Sequence, residues 1–260
     1  MKTRVITALI IIAILAPILY LGGIPFKILA AVATILATRE ILALVGEKWN
    51  PILRCSVYVL ALATVVSDFL GLSYFKLMEA VMITWLGFWL VHDVNVKLED
   101  IGLVYIISTI FAMMIAGILR MYDYGNIFVF YMAFGTTFPD MFALFIGKAI
   151  GKHKLNERIS PNKTIEGSVG GYIVGLIVNL LFGFILLKKA YGLPTPFLIV
   201  SALTLPVVGQ IGDLFYSAIK RHYGIKDFSN LFPGHGGVLD RLDSISFNCM
   251  LLYALILVML

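Results

Sequence analysis

The chain has 260 residues, of which 60% are hydrophobic and 13% are charged, and its formal net charge is +5. Soluble domains carry charge on roughly a quarter of their residues, so this composition, with a mean hydropathy of +0.97, excludes an ordinary soluble protein. The two cysteines (Cys55 and Cys249) and the four scattered histidines form neither a disulfide framework nor a zinc-binding spacing.

Long apolar runs recur along the whole chain. A transmembrane helix needs about 20 mostly apolar residues, so we predict an all-α integral membrane protein, a polytopic bundle of about nine transmembrane helices. The opening "MKTR" precedes an apolar run without a small-x-small cleavage site, which favours an uncleaved first span over a signal peptide. The predicted spans are residues 5–21, 26–45, 52–70, 77–92, 101–119, 126–147, 168–187, 197–219 and 243–260.

The distribution of Lys and Arg predicts the orientation of these spans, because cytoplasmic loops carry an excess of positive charge. With a cytoplasmic N-terminus, the cations concentrate on the cytoplasmic side, where they attract anionic lipids and phosphate-bearing substrates. The cytoplasmic set is Lys2, Arg4, Lys48, Arg54, Lys97, Lys148, Lys152, Lys154, Arg158, Lys163, Lys220, Arg221, Lys226 and Arg241; the opposite set is Lys27, Lys76, Arg120, Lys188 and Lys189.

Residues 1–120 are predicted to form a scaffold of transmembrane helices with a place for dimer or lipid contacts. The polar exception is the pair Arg39 and Glu40, inside the second span. A charge there is costly and marks either function or an internal partner, and both interpretations stay open. Because adjacent residues on a helix do not face one another, each of the two needs its own partner.

Residues 121–260 carry most of the polar signal and are predicted to hold the catalytic site, with two cytoplasmic loops at 148–167 and 220–242. The first loop contains a run of cations, for which a lipid-headgroup patch is the simpler explanation. The seventh span begins with glycines at every fourth position, a small-residue face typical of close helix packing. These glycines are Gly167, Gly171 and Gly175.

Asp140 lies inside the sixth predicted span. An acid within a membrane span is a candidate functional residue by default. Pro139, just before it, favours a break in the helix that would free backbone carbonyls nearby.

The eighth span ends in a polar stripe. Asp213, Ser217 and Lys220 are spaced i, i+4 and i+7, so they share one helix face, and Arg221 lies close to it. Snorkelling to the membrane surface would explain the two cations, but it does not explain a buried acid. The stripe therefore indicates one wall of a site.

The ninth span begins with "DRLDS". Asp240 and Asp243 point the same way, while Arg241 is turned aside. Acids are favoured at a helix N-terminus by the helix dipole, but that does not account for Asp213 on the preceding span. Converging carboxylates repel unless a cation lies between them. Since oxygen ligands select a hard ion, we predict Mg²⁺, with a second metal ion left open.

The glycine-rich stretch "PGHGG" joins these two spans. Gly234, Gly236 and Gly237 lack Cβ atoms, so backbone N–H groups there can approach a phosphate closely. A glycine-rich loop alone is a weak signal. The position of this loop between cations and carboxylates strengthens the signal.

These residues resemble a known family, the phosphatidate cytidylyltransferases (CDP-diacylglycerol synthases). The run "SAIKRHYGIKDFSNLFPGHGGVLDRLD" at 217–243 is similar to the family signature, and "RISPNKTIEGSVGG" is similar to its second conserved segment. The likeness is strong over roughly 135–245. One departure follows Asp140, where the family usually has a small hydroxyl residue and a glycine but this chain has Met141 and Phe142.

The resemblance implies a nucleotidyltransferase that transfers CMP from CTP to phosphatidic acid, giving CDP-diacylglycerol and pyrophosphate. Combined with the helix-face argument for Asp213, it predicts catalytic roles for Asp213, Asp240, Asp243, Lys226 and Arg241, with the three aspartates as metal ligands. It assigns substrate binding to Ser217, Lys220, Arg221, Asp227, His235, Gly236, Gly237, Ser160, Lys163, Thr164 and Glu166.

The same resemblance implies a homodimer in the inner (cytoplasmic) membrane, in contact with membrane lipids and with no nucleic-acid partner. The distribution of Lys and Arg predicts that its site faces the cytoplasm. Two rival functions remain. A CDP-alcohol phosphotransferase should carry an Asp-Gly-x-x-Ala-Arg run, which we do not find. An anion or lipid transporter should show broken helices in two repeated halves, and no repeat is visible.

Overall fold

The computed structural model describes residues 2–45, 48–69 and 75–260, and most of these residues are helical. A two-stranded hairpin lies between α6 and α7, and a π-helical turn, Gly183–Leu187, joins α7 to α8. The helices are α1 Lys2–Leu21, α2 Gly23–Val45, α3 Pro51–Phe69, α4 Phe75–His92, α5 Leu98–Tyr124, α6 Asn126–Ile150, α7 Ile165–Phe182, α8 Lys188–Tyr191, α9 Thr195–His222 and α10 Leu239–Met259; the strands are β1 Lys154–Asn156 and β2 Ser160–Thr164.

Within the described residues, six helical segments are long and apolar enough to cross a membrane. They are Gly23–Val45, Leu98–Tyr124, Asn126–Ile150, Ile165–Tyr191, Thr195–His222 and Leu239–Met259. Shorter apolar stretches lie at Leu9–Leu21 and Pro51–Ser67. The prediction of an all-α polytopic membrane protein is therefore confirmed. The count of nine is approximate, because the predicted span 77–92 lies on α4, which is not among the six, and residue 70 of the third span lies outside the described residues.

The chain forms two compact units. The first comprises Met1–Ala116 with Asp227–Asp240, and the second comprises Gly117–Lys226 with Arg241–Leu260. In the first unit, polar side chains tie apolar helices together. The Trp85 indole donates to the Ser56 hydroxyl at 2.6 Å, and the Thr109 hydroxyl donates to the buried Glu79 carboxylate at 2.6 Å.

In the second unit, α6 and α7 pack closely because of the predicted glycine face. A Cβ at Gly171 would lie 2.8 Å from the Cβ of Ala143 on α6, and a Cβ at Gly175 would collide with the Pro139 ring of the same helix. Real Cβ atoms do not approach this closely, so larger residues would push the helices apart. The packing interpretation of the glycine face is confirmed.

The structure corrects two local expectations from the sequence. Helix α6 continues through Pro139 without a break, as is tolerated in membrane helices whose neighbours satisfy the freed backbone groups. The first predicted loop is partly ordered as an antiparallel hairpin in which Lys154 pairs with Thr164 and Asn156 with Ser160. Its turn is held by the Asn156 side chain, which accepts from the Ile159 N–H at 3.1 Å.

Candidate active site

The second unit contains a cavity of about 460 Å³ where α6, the hairpin, α7 and α9 meet. Its wall combines charged and amide side chains with small and apolar ones. The lining residues are Asp140, Ala143, Leu144, Gly147, Lys148, Leu155, Asn162, Lys163, Thr164, Ser168, Gln210 and Asp213.

Asp213 is the centre of the polar wall. Its Oδ2 pairs with the Lys163 ammonium group from β2, and its Oδ1 accepts from the Ser217 hydroxyl at 3.3 Å. The i, i+4 face predicted on α9 therefore exists. Lys163 is predicted to bind substrate, and in the structure its ammonium group pairs with this carboxylate.

Two further carboxylates of the second unit, Asp140 and Asp243, lie within electrostatic range of Asp213 and of each other. The Ser244 N–H donates to Asp243 at 2.8 Å. The cations in range are Lys163 for Asp140 and the buried Lys220 for Asp243. Within the described part of the chain, three carboxylates thus lie near the ammonium groups of Lys163 and Lys220, and close carboxylates favour a further cation between them.

The sequence analysis missed three polar residues of the cavity: Asn162, Ser168 and Gln210. The Ser168 hydroxyl donates to the Gln210 side-chain oxygen, and the Gln210 amide nitrogen donates back to the Ser168 carbonyl at 3.1 Å. Helix periodicity could have indicated Gln210, because it lies three residues before Asp213 and thus on the same face.

Thr164 and Glu166 were predicted to bind substrate, but both have structural partners. The Thr164 hydroxyl caps α7 by accepting from the Gly167 N–H at 3.1 Å. The Glu166 carboxylate accepts from the backbone N–H groups of Lys152 and His153 and contacts the His153 ring at 2.6 Å. These contacts tie the start of α7 to the segment before β1. Ser160 lies at the start of β2 and does not line the cavity.

Arg221 fastens two backbone segments of the second unit. Its Nε donates to the Ile159 carbonyl at 3.2 Å, and its Nη1 donates to the Ile225 carbonyl at 2.8 Å. The guanidinium was predicted to bind phosphate, and in the structure it joins the hairpin to the chain after α9. The remaining predicted charged residues, Lys226, Asp227 and Arg241, have exposed side chains.

The glycine-rich loop belongs to the first unit and is closed by a tight turn. The His235 N–H donates to the Phe232 carbonyl at 2.8 Å, and Pro233 and Gly234 occupy the two central positions. Gly234 has a φ of 74°, which fits the third position of a type II turn. Among the described residues no partner reaches the buried His235 Nδ1.

Asp240 closes this loop with its carboxylate. Its Oδ2 accepts from the Phe228 N–H at 2.7 Å and from the Gly237 N–H at 2.9 Å. Gly236 adopts a φ of 80°, and a Cβ there would lie 2.7 Å from the same oxygen. The Gly237 N–H, predicted to meet a phosphate, is thus engaged by Asp240, and Asp240 has a structural task beside the predicted metal role.

The carboxylate oxygens of this unit are the type of ligand that a hard divalent ion prefers. The described residues contain no group of three or more His, Cys, Asp or Glu side chains close enough to hold a metal by themselves. Mg²⁺ does not require such a group, because it keeps several waters and binds through one or two carboxylates together with substrate phosphates. Asp213 and Asp243 suit that mode of binding.

Comparison with known proteins agrees with the resemblance drawn from the motifs. A model of the Cytidylyltransferase family matches residues 2–259. The phosphatidate cytidylyltransferase of Bacillus subtilis (strain 168) is 30% identical over 265 residues, covering 98% of this chain and 97% of the relative. That of Staphylococcus haemolyticus (strain JCSC1435) is 31% identical over 268 residues, covering both chains completely. The chain belongs to the cytidylyltransferase family.

Proposed function

We propose that this protein transfers CMP from CTP to phosphatidic acid, forming CDP-diacylglycerol and pyrophosphate for phospholipid synthesis. The observation that carries the proposal is the full-length similarity to relatives named phosphatidate cytidylyltransferase. The cavity of the second unit supports it, because it offers acids and cations at the end of helices that can cross a membrane.

The proposed chemistry needs no protein nucleophile. An oxygen of the lipid phosphate, already anionic, attacks the α-phosphorus of CTP, and the bond from that phosphorus to the oxygen bridging to the β-phosphorus breaks. Pyrophosphate leaves with the bonding electrons, so no proton has to move. Positioning and charge neutralisation are therefore the main tasks of the protein.

Asp213 and Asp243 are the proposed Mg²⁺ ligands. When bound, the ion supplies charge neutralisation and orientation of the phosphates. Lys163 and Lys220 are the proposed phosphate partners, since both lie beside these acids in the second unit. Ser217 orients Asp213 through its hydrogen bond. Metal binding by Asp240, catalytic roles for Lys226 and Arg241, and substrate binding by the other predicted residues stay predictions.

The wider assignments are also proposals. Residues 1–120 would form the scaffold and 121–260 the catalytic half. The protein would be a homodimer in the cytoplasmic membrane, with its site open to the cytoplasm so that CTP meets a lipid headgroup there. The distribution of Lys and Arg supports this orientation.

The decisive experiment measures pyrophosphate release from CTP by the purified protein in detergent micelles, with and without phosphatidic acid. We expect release only when CTP, phosphatidic acid and Mg²⁺ are all present. A CDP-alcohol phosphotransferase would instead release CMP from CDP-diacylglycerol and an alcohol, and a transporter would release neither product. Either of those outcomes would contradict the proposal.

A further inference from the structure

Glu40, on α2 of the first unit, is a buried carboxylate that the proposed chemistry does not use. Its side chain is only 4% exposed, and it lies in a helix long and apolar enough to cross a membrane. A carboxylate in such a place is costly unless hydrogen-bond donors satisfy it. The identity of its donors therefore indicates its role.

Its donors among the described residues come from the segment 229–239, 189 to 199 residues further along the chain. Oε1 accepts from the Ser229 hydroxyl at 2.7 Å and from the Val238 N–H at 2.8 Å. Oε2 accepts from the Leu239 N–H at 2.9 Å. Both oxygens are thus engaged, and two of the three donors are backbone groups at the start of α10.

These bonds have a specific physical meaning for α10. The first N–H groups of a helix have no partner inside the helix, and they carry the positive end of its dipole. An N-cap is normally supplied by a neighbouring residue in the chain, but here a different helix supplies a full negative charge. Gly237 leaves room for it, because a Cβ at that position would collide with the Glu40 carboxylate.

We propose that Glu40 is a positioning residue for the reaction: by capping α10 it fixes the start of the helix that carries Asp243. The inference rests on the proposed function. Asp240 holds the neighbouring N–H groups of Phe228 and Gly237, so two carboxylates fix this segment. A shift at the start of α10 moves every residue of its first turns, including the proposed metal ligand.

The substitution Glu40→Gln tests the cap with little change in size. Gln keeps one acceptor oxygen but turns an NH₂ group toward a backbone N–H, so two donors face each other and the negative charge is lost. The matched control is Glu79→Gln. Glu79 is also a buried glutamate of the first unit, 8% exposed, but it accepts from Thr109 on α5 and not from the start of α10.

The first measurement is hydrogen–deuterium exchange of a peptide covering residues 229–239. In Glu40→Gln we expect the Val238 and Leu239 amides to exchange about tenfold faster or more, because each loses a charge-assisted bond. The second is turnover against Mg²⁺ concentration, where we expect half-saturation to rise about tenfold. Glu79→Gln should leave both measurements unchanged.

Glu40→Asp keeps the charge but shortens the side chain by one methylene, so it should retain more activity and protection than Glu40→Gln. If Glu40→Gln does not fold, the same two measurements are made on Glu40→Asp. A folded Glu40 variant with wild-type exchange and an unaltered Mg²⁺ curve would overturn the inference. A variant whose only change is a lower melting temperature would overturn it too. Absence of phosphatidate-dependent pyrophosphate release in the unsubstituted protein would instead refute the proposed function, while the exchange data would still test the cap.

Discussion

Lys163 on β2 pairs with Asp213 on α9, 50 residues further along the chain. The pair lies in the wall of the cavity, and each partner is about one-quarter exposed, with side-chain exposures of 29% and 24%. A cation therefore already lies on the acid that we propose as a metal ligand. Binding of Mg²⁺ with CTP would release the Lys163 ammonium group from Asp213 for contact with a phosphate.

This exchange predicts opposite effects of Lys163→Met on metal binding and on turnover. Without the competing ammonium group, the protein should bind Mn²⁺, used as a probe for Mg²⁺, more tightly in the absence of nucleotide. Turnover should nevertheless fall by about ten- to a hundredfold, because a charge-assisted phosphate contact is lost. Mn²⁺ titration by electron paramagnetic resonance and steady-state kinetics measure the two effects. Weaker Mn²⁺ binding in the variant would contradict the exchange.

Asp213→Asn and Asp243→Asn should each lower turnover by about two orders of magnitude or more, since Asn removes the charge that holds a hard cation. The double variant should be hardly worse than either single one, because residues that serve one ion act as a unit. Asp123→Asn is the control, as Asp123 is exposed and pairs with Arg120 at 3.3 Å. If Asp243→Asn keeps full activity and the same dependence of turnover on Mg²⁺ concentration, the assignment of a metal site is wrong.

Arg221 and Lys226 should respond differently to substitution. Arg221→Ala should loosen the hairpin, detected as faster proteolysis between β1 and β2, and Arg221→Lys should not restore it, because an ammonium group lacks the fork that reaches two carbonyls. Lys226→Ala should raise the KM for CTP or lipid by about tenfold with little change in proteolysis. Equal proteolysis rates in Arg221→Ala and the unsubstituted protein would contradict the fastening role.

The proposed orientation predicts where cysteines can be labelled. With Cys55 replaced by serine, single cysteines at Glu157 and Asn230, both exposed, should react with an impermeant thiol reagent only after the cytoplasmic face is opened. A cysteine at Lys189, in the set assigned to the other side, is the matched control and should react in intact cells. Labelling of Glu157→Cys or Asn230→Cys from outside would refute the orientation.

The sequence predicted best those features that depend on local geometry. The hydrogen bond from Ser217 to Asp213 follows from their i, i+4 spacing, and the packing of α6 on α7 follows from glycines at every fourth position. Each depends on one helical period and requires no knowledge of how distant segments meet. The family resemblance rested on equally local motifs.

The features that the sequence did not predict depend on contacts between distant segments. Ser168 and Gln210 are 42 residues apart, so only the packing of α7 against α9 brings them together. Asp240 was predicted as a metal ligand from its spacing to Asp243. That spacing does not reveal that the Asp240 carboxylate accepts hydrogen bonds from the N–H groups of Phe228 and Gly237. Arg39 and Glu40 were noted as unusual, but their partners could not be derived from one helix.

The bonds from Val238 and Leu239 to Glu40 also constrain the order of biogenesis. Glu40 is synthesised 198 and 199 residues before its backbone donors, and a ribosome extends a chain by about 5–20 residues per second. The second helix therefore enters the membrane roughly ten seconds or more before its carboxylate can be satisfied. During that interval the Glu40 carboxylate lacks the backbone donors that satisfy it in the folded protein, which is costly for an acid within a membrane helix. We therefore expect the nascent chain to need protection by membrane chaperones until α10 is inserted.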